Sequence, residues 1–147
     1  MMIYLVEKYA NDDSFYPNDI KTRAIIHDRL FFDVTNLYRR IADHYYPAMA
    51  DDLPPLPENV PHLEEGVHAL NVFLSKNQMA ACDQYTIADI SLLSTVAILE
   101  VVNFDLSRYT NISRWYDTIK NWARRNELLL ILDADMARFR RMFSTRV

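Results

Sequence analysis

Tyr85-Thr86-Ile87-Ala88-Asp89-Ile90-Ser91 is the stretch whose pattern decides the fold. A threonine followed three residues later by an acid, at the head of an apolar run, has the form of a capping box. In it Thr86 caps the amide at Asp89 and the Asp89 carboxylate returns to the amide of Thr86. Tyr85 stands just before the cap and Ile90 at the fourth helical position, the two places that close a hydrophobic staple. The box therefore starts a helix over residues 87 to 102. Its apolar part, Ile90 to Val102, is 13 residues long and carries Ser91, Ser94, Thr95 and Glu100. That is too short and too polar to cross a bilayer, and it reads as a core helix.

Working outward, the chain opens in an amphipathic pattern, Ile3-Tyr4-Leu5-Val6-Glu7-Lys8-Tyr9, with no Ser, Thr, Asp or Asn ahead of it to cap a first turn. Asn11 to Ser14 make a polar break. Tyr16-Pro17-Asn18-Asp19 marks a turn, with Asp19 placed to cap the next helix. From Ile20 to about Tyr46, apolar Leu30, Val34, Leu37, Tyr38, Ile41 and Tyr45 recur at steps of three and four, predicting one helix roughly 40 Å long. Pro47, Pro54, Pro55, Pro57 and Pro61 then punctuate a loop. Pro61 suits the first turn of a helix to about Ser75 whose core face is Leu63, Val67, Leu70 and Leu74. Later helices are expected near Ser113 to Arg125, with Trp115, Ile119 and Trp122 on the apolar side, and near Ala134 to Phe143. The fold class is all-α.

Composition agrees. The 147 residues are 50% hydrophobic, enough for one globular core, and the single glycine, Gly66, leaves little for tight hairpins or phosphate loops. A net charge of −4, with basic residues scattered except for Arg138, Arg140, Arg141 and Arg146, speaks against nucleic acid; that cluster reads as a solvated helix face. Cys82 has no partner for an internal disulfide, no secretory leader pattern opens the chain, and a cytoplasmic location is expected. Cys82 itself reads as a small buried residue. His27, His44, His62 and His68 lack ligand spacing, so no metal site is expected. Arg29 and Asp33, four apart, make a plausible surface ion pair.

The Tyr85 to Ser91 run is joined, in order along the chain, by Tyr4-Leu5-Val6-Glu7-Lys8-Tyr9, Ser14-Phe15-Tyr16-Pro17, Arg29-Leu30-Phe31-Phe32-Asp33, Tyr45-Tyr46-Pro47, Phe104-Asp105-Leu106-Ser107-Arg108-Tyr109 and Asn111-Ile112-Ser113-Arg114-Trp115-Tyr116. Together these resemble the cytosolic glutathione transferases of the insect delta and epsilon classes, leaning to delta, over about residues 3 to 125. Cys82, where the family usually has Gly, and Thr110, where it usually has Pro, depart from the pattern.

The resemblance implies a two-domain enzyme that conjugates glutathione to hydrophobic electrophiles, with only the helical, electrophile-site domain in this sequence. Residues 1–10 would be the end of the last helix of a thioredoxin-like domain, and 11–147 the C-terminal helical domain. The serine that activates glutathione and the Glu-Ser-Arg stretch that holds it belong to the other domain, so glutathione is the family's co-substrate with its site largely missing here, and no catalytic residue is assigned. Val34, Tyr38, Ile41 and Tyr46 fall where the family's electrophile wall lies, with Phe139 and Phe143 as its cover. An aromatic stripe at helical spacing is otherwise core. By the same resemblance Asp33 supports the glutathione site from behind, and Phe31 lies at a homodimer interface. A non-catalytic module for hydrophobic ligands or protein partners, or a truncated gene product, are the alternatives.

Overall fold

The computed structural model describes residues 1–51, 55–126, 134, 136, 137, 140 and 141, with backbone alone at 48–51. Its elements are α1 (Met2–Tyr9), α2 (Ile20–Phe32), a π-helical turn (Asp33–Leu37), α3 (Tyr38–Asp51), a 3-10 turn (Pro57–Asn59), α4 (Val60–Phe73), α5 (Ile87–Val101) and α6 (Thr110–Arg125). The described residues contain no strand. Residues 134, 136, 137, 140 and 141 are helical, and Met136 packs on the core.

Helix α5 is the axis of the domain. Leu92, Val96 and Leu99 have no exposed surface, and α2 and α6 pack against it. The capping box forms at its start. Thr86 donates through both its amide and its hydroxyl to Asp89 Oδ2, each at 2.9 Å. Tyr85, the residue before the cap, stacks on Trp122 at 4.9 Å between ring centroids. At the other end Asn103 adopts φ 56°, the left-handed conformation in which glycine is commonest. The amides of Asn103 and Phe104 then reach back to the carbonyls of Glu100 and Leu99 at 3.2 and 2.9 Å, closing a Schellman stop without a glycine.

The long helix differs from its prediction in two ways. Arg29, Asp33, Leu37, Ile41 and Tyr45 are all buried, a period of four. At 100° per residue that series drifts by about 40° each turn, some 160° over four turns. The π turn at Asp33–Leu37 takes in an extra residue and returns about 100°, holding one face on α4 and α5. Secondly, Pro47 lies inside α3, not in a loop. Its missing N–H leaves the Asp43 carbonyl open, and Asn59 Nδ2 donates to that oxygen at 2.9 Å. The expected cap Asp19 does accept from the Thr22 amide, at 2.7 Å. Helix α6 begins at Thr110, before the expected Ser113, because Asn71 Oδ1 receives the amides of Asn111 and Ile112 at 3.1 and 3.3 Å from across the bundle.

Leu63, Val67 and Leu70 of α4 and Leu74 just past its end are buried as predicted, as are Trp115 and Ile119, while Trp122 is half-buried. Gly66 lies where α4 meets α3: a Cβ there would stand 2.9 Å from Arg40 Cδ and 3.3 Å from Asn36 Oδ1. Arg40 is tied down by the His62 carbonyl and Glu65, so the space is reserved for hydrogen.

Candidate functional site

The outer face of α2, the π turn and α3 carries the candidate residues. Phe31 is 70% exposed, Val34 64% and Tyr38 38%. Tyr46 is half-buried. Phe31, Val34 and Tyr38 thus face outward rather than into the core. The Tyr38 and Tyr46 hydroxyl oxygens are 2.9 Å apart, within hydrogen-bond distance, and their rings meet edge to face with centroids 6.2 Å apart. Burial, and then the bond to Tyr38, holds the Tyr46 phenol well above the usual tyrosine range. Ile41 has no exposed surface: it belongs to the core beneath this face. Phe139 and Phe143 lie outside the described residues.

Asp33 and Arg29 do not form the surface pair that their spacing suggests. Both are buried, and each has its own partners. Arg29 sets its guanidinium 3.7 Å from the centre of the Phe73 ring, donates from Nε to the Ala80 carbonyl at 3.1 Å and pairs with Asp28. Asp33 Oδ2 accepts from the Ser91 hydroxyl at 2.5 Å, while Oδ1 is buried with no hydrogen-bond partner among the described residues. Burial pushes the Asp33 carboxyl upward, against the pull of the Ser91 and Thr95 hydroxyls.

Asp89 exceeds its predicted part. Besides Thr86, its Oδ1 accepts from the Ala80 amide at 2.8 Å and from Trp115 Nε1 at 2.9 Å. These donors sit 9 and 26 residues away in sequence, so local pattern carried no sign of them.

Two clefts lie elsewhere. One of about 390 Å³ is lined by Val6, Glu7, Asp12, Asp13, Tyr16 and Arg23 among others, and one of about 430 Å³ by Ser14, Pro17, Thr22, Cys82 and Asp83 among others. Neither is lined by Tyr38 or Tyr46. Cys82, expected to be buried, is partly exposed at the rim of the second, its thiol turned to the Gln84 carbonyl at 3.6 Å. Arg140 and Arg141 are exposed on their helical segment. Among the described residues no group of three or more His, Cys, Asp or Glu side chains converges, and no helix is long and apolar enough to cross a membrane.

An all-helical domain with an outward apolar face on a long, π-interrupted helix is the class defined so far. Residues 39–122 match the model of the glutathione S-transferase C-terminal domain, and the chain belongs to that family. It superposes on a delta-class glutathione transferase of Nilaparvata lugens with a TM-score of 0.88 and 33% identity, covering 99% of this chain and 68% of the other. Glutathione S-transferase 1-6 of Anopheles dirus species B gives 0.81 and 35%, with 92% and 63% covered. Glutathione transferase E6 of Drosophila melanogaster gives 0.79 and 28%, with 96% and 66% covered. The chain thus spans about two thirds of the length of these structures.

Proposed function

We propose that this chain provides the hydrophobic-electrophile half of a glutathione transferase of the detoxification type. The observation that carries this is the outward face of Val34, Tyr38 and Tyr46, with Ile41 supporting it from the core. An apolar, polarisable wall of this kind suits a planar hydrophobic electrophile. Asp33, buried with Oδ2 on the Ser91 hydroxyl, is read as supporting the glutathione site from behind rather than touching it. The thiol itself is held and ionised, in this family, by a thioredoxin-like domain that these 147 residues do not contain; residues 1–10 are read as the end of it and 11–147 as the helical domain. A cytoplasmic homodimer with Phe31 at its interface completes the reading.

Conjugation needs the thiolate held about 3–3.5 Å from the electrophilic carbon, which free glutathione passing an open face does not achieve. The purified 147-residue chain is therefore expected to bind an apolar fluorescent dye, to bind it more weakly as Tyr38→Ala, and not to conjugate glutathione to chlorodinitrobenzene. Glutathione-dependent turnover that survives removal of host transferases would place an activating group within this chain and overturn the division of labour.

A further inference from the structure

Helix α1 has no fully buried side chain: Met2, Ile3 and Val6 are partly buried against the core, while Tyr4, Leu5 and Tyr9 face outward. Eight residues are too few to stay helical in water without docking on something. Arg23 of α2 reaches both this helix and the loop that follows it. Its Nη1 donates to Glu7 Oε1 of α1 at 3.0 Å, its Nε to the Pro17 carbonyl at 2.7 Å and its Nη2 to Asn18 Oδ1 at 2.9 Å. The guanidinium carbon stands 4.1 Å from the centre of the Tyr16 ring. That ring is buried, with its oxygen 2.6 Å from His27 Nε2. A cleft of about 390 Å³ lined by Val6, Glu7, Asn18 and Arg23 among others lies beside these contacts, so close packing does not fill the space between helix and loop there.

We propose that Arg23 is a positioning residue whose guanidinium fork, held by the Tyr16–Asn18 loop, sets the angle at which α1 meets the bundle. The proposal rests on the reading of residues 1–10 as the end of the glutathione-binding half, so Arg23 acts on the reaction only through where that half stands. An ion pair as exposed as Glu7 and Arg23 contributes little through charge alone, because two long side chains must be ordered to make it. Here one partner is ordered already: Pro17, Asn18 and the Tyr16 face fix the guanidinium before Glu7 meets it. The planar fork of arginine presents donors in several fixed directions, whereas the single ammonium of lysine cannot hold carbonyl, amide and carboxylate in one geometry. Direction, more than attraction, is what the contact supplies.

The test reads α1 in the full 147-residue chain. Hydrogen exchange follows its amides from Leu5 to Ala10, and double electron–electron resonance measures the distance between nitroxides on Leu5→Cys and on the native Cys82, which is partly exposed. Arg23→Gln is expected to speed exchange in α1 about tenfold, the factor for one lost charge-assisted hydrogen bond, and to broaden a narrow distance distribution. Exchange in α3 to α6 should stay as in the wild type. Glu7→Gln, which leaves the loop contacts untouched, should show the same change at smaller size, and Arg23→Lys should leave the distribution broad. Unchanged exchange and distances in Arg23→Gln, no response to Glu7→Gln, protection lost equally through α3 to α6, or a wild-type distribution in Arg23→Lys overturns the proposal. These readouts follow α1 alone, so the electrophile-site reading stands or falls separately, on the dye binding described above.

Discussion

Trp115 Nε1 donates to Asp89 Oδ1 at 2.9 Å, which ties the buried indole of α6 to the first turn of α5. The same carboxylate holds the Ala80 amide of the incoming loop and both donors of Thr86. Asp89→Ala strands at least three buried donors, at about 1–3 kcal/mol each before relaxation, so a loss of ~3 kcal/mol or more is expected. Thr86→Ala should cost only ~0.5–2 kcal/mol. Urea unfolding of both variants measures the order; equal losses would mean that Asp89 is no more than a local cap.

Asp33 predicts a pH effect. Its carboxyl titrates above the ordinary aspartate value, about 4, because it is buried. Between those two values the folded chain holds a proton that the unfolded chain has lost, so the group's contribution is fully present below the unfolded pKa and is lost as pH rises through the folded one. Each pH unit across that window is worth about 1.4 kcal/mol. The stability of Asp33→Asn relative to wild type should therefore improve on going from pH 3.5 toward neutrality and then level off. Asp89 is displaced in the same direction but is common to both proteins, so it largely cancels in the difference. Chemical denaturation across pH checks this, and a difference that does not change with pH would sink it.

Asn103 carries the Schellman stop of α5 in a conformation that glycine adopts freely and alanine does not. Asn103→Ala is expected to be less stable than Asn103→Gly by ~1 kcal/mol, since a Cβ in the left-handed region costs about 1–2 kcal/mol with no side-chain hydrogen bonding to offset it. Thermal melts of the two variants decide the point. Identical midpoints would show that the stop is held by tertiary contacts alone.

Phe31 is the most exposed of the apolar side chains on the candidate face. With Phe31 at the homodimer interface proposed above, Phe31→Arg should weaken self-association by about tenfold or more while leaving the helical signal unchanged, because an exposed aromatic is replaced by a charge with no partner. Sedimentation equilibrium at several concentrations reads this directly, and an unaltered association constant would move the interface elsewhere.

Much of the architecture was legible in residue order because its signals are local. The capping box at Thr86 and Asp89, the Asp19 cap and the apolar face of Leu63, Val67, Leu70 and Leu74 depend on neighbours within a turn or two. So does the resemblance that led to the family. The aromatic stripe of the long helix, by contrast, reads locally as core, and Tyr38 turns outward. What needed the tertiary structure involves partners distant in sequence. Pro47 sits within a helix because Asn59 satisfies the carbonyl that proline leaves open. Helix α6 starts three residues early because Asn71 caps it from another helix. The period-four burial of Arg29 to Tyr45 goes with a π turn at Asp33–Leu37; Asp33 meets Ser91 and Arg29 pairs with Asp28 instead of with each other. Local pattern determined which segments become helices and, for α4 and α6, which side is apolar, but not for the long helix, whose buried face includes Arg29 and Asp33 and leaves Val34 out. Only the packed molecule decided where the helices stop, how the long one is wound and which hydroxyl meets Tyr38, because those outcomes depend on satisfying buried polar groups with whatever donor or acceptor the fold brings near.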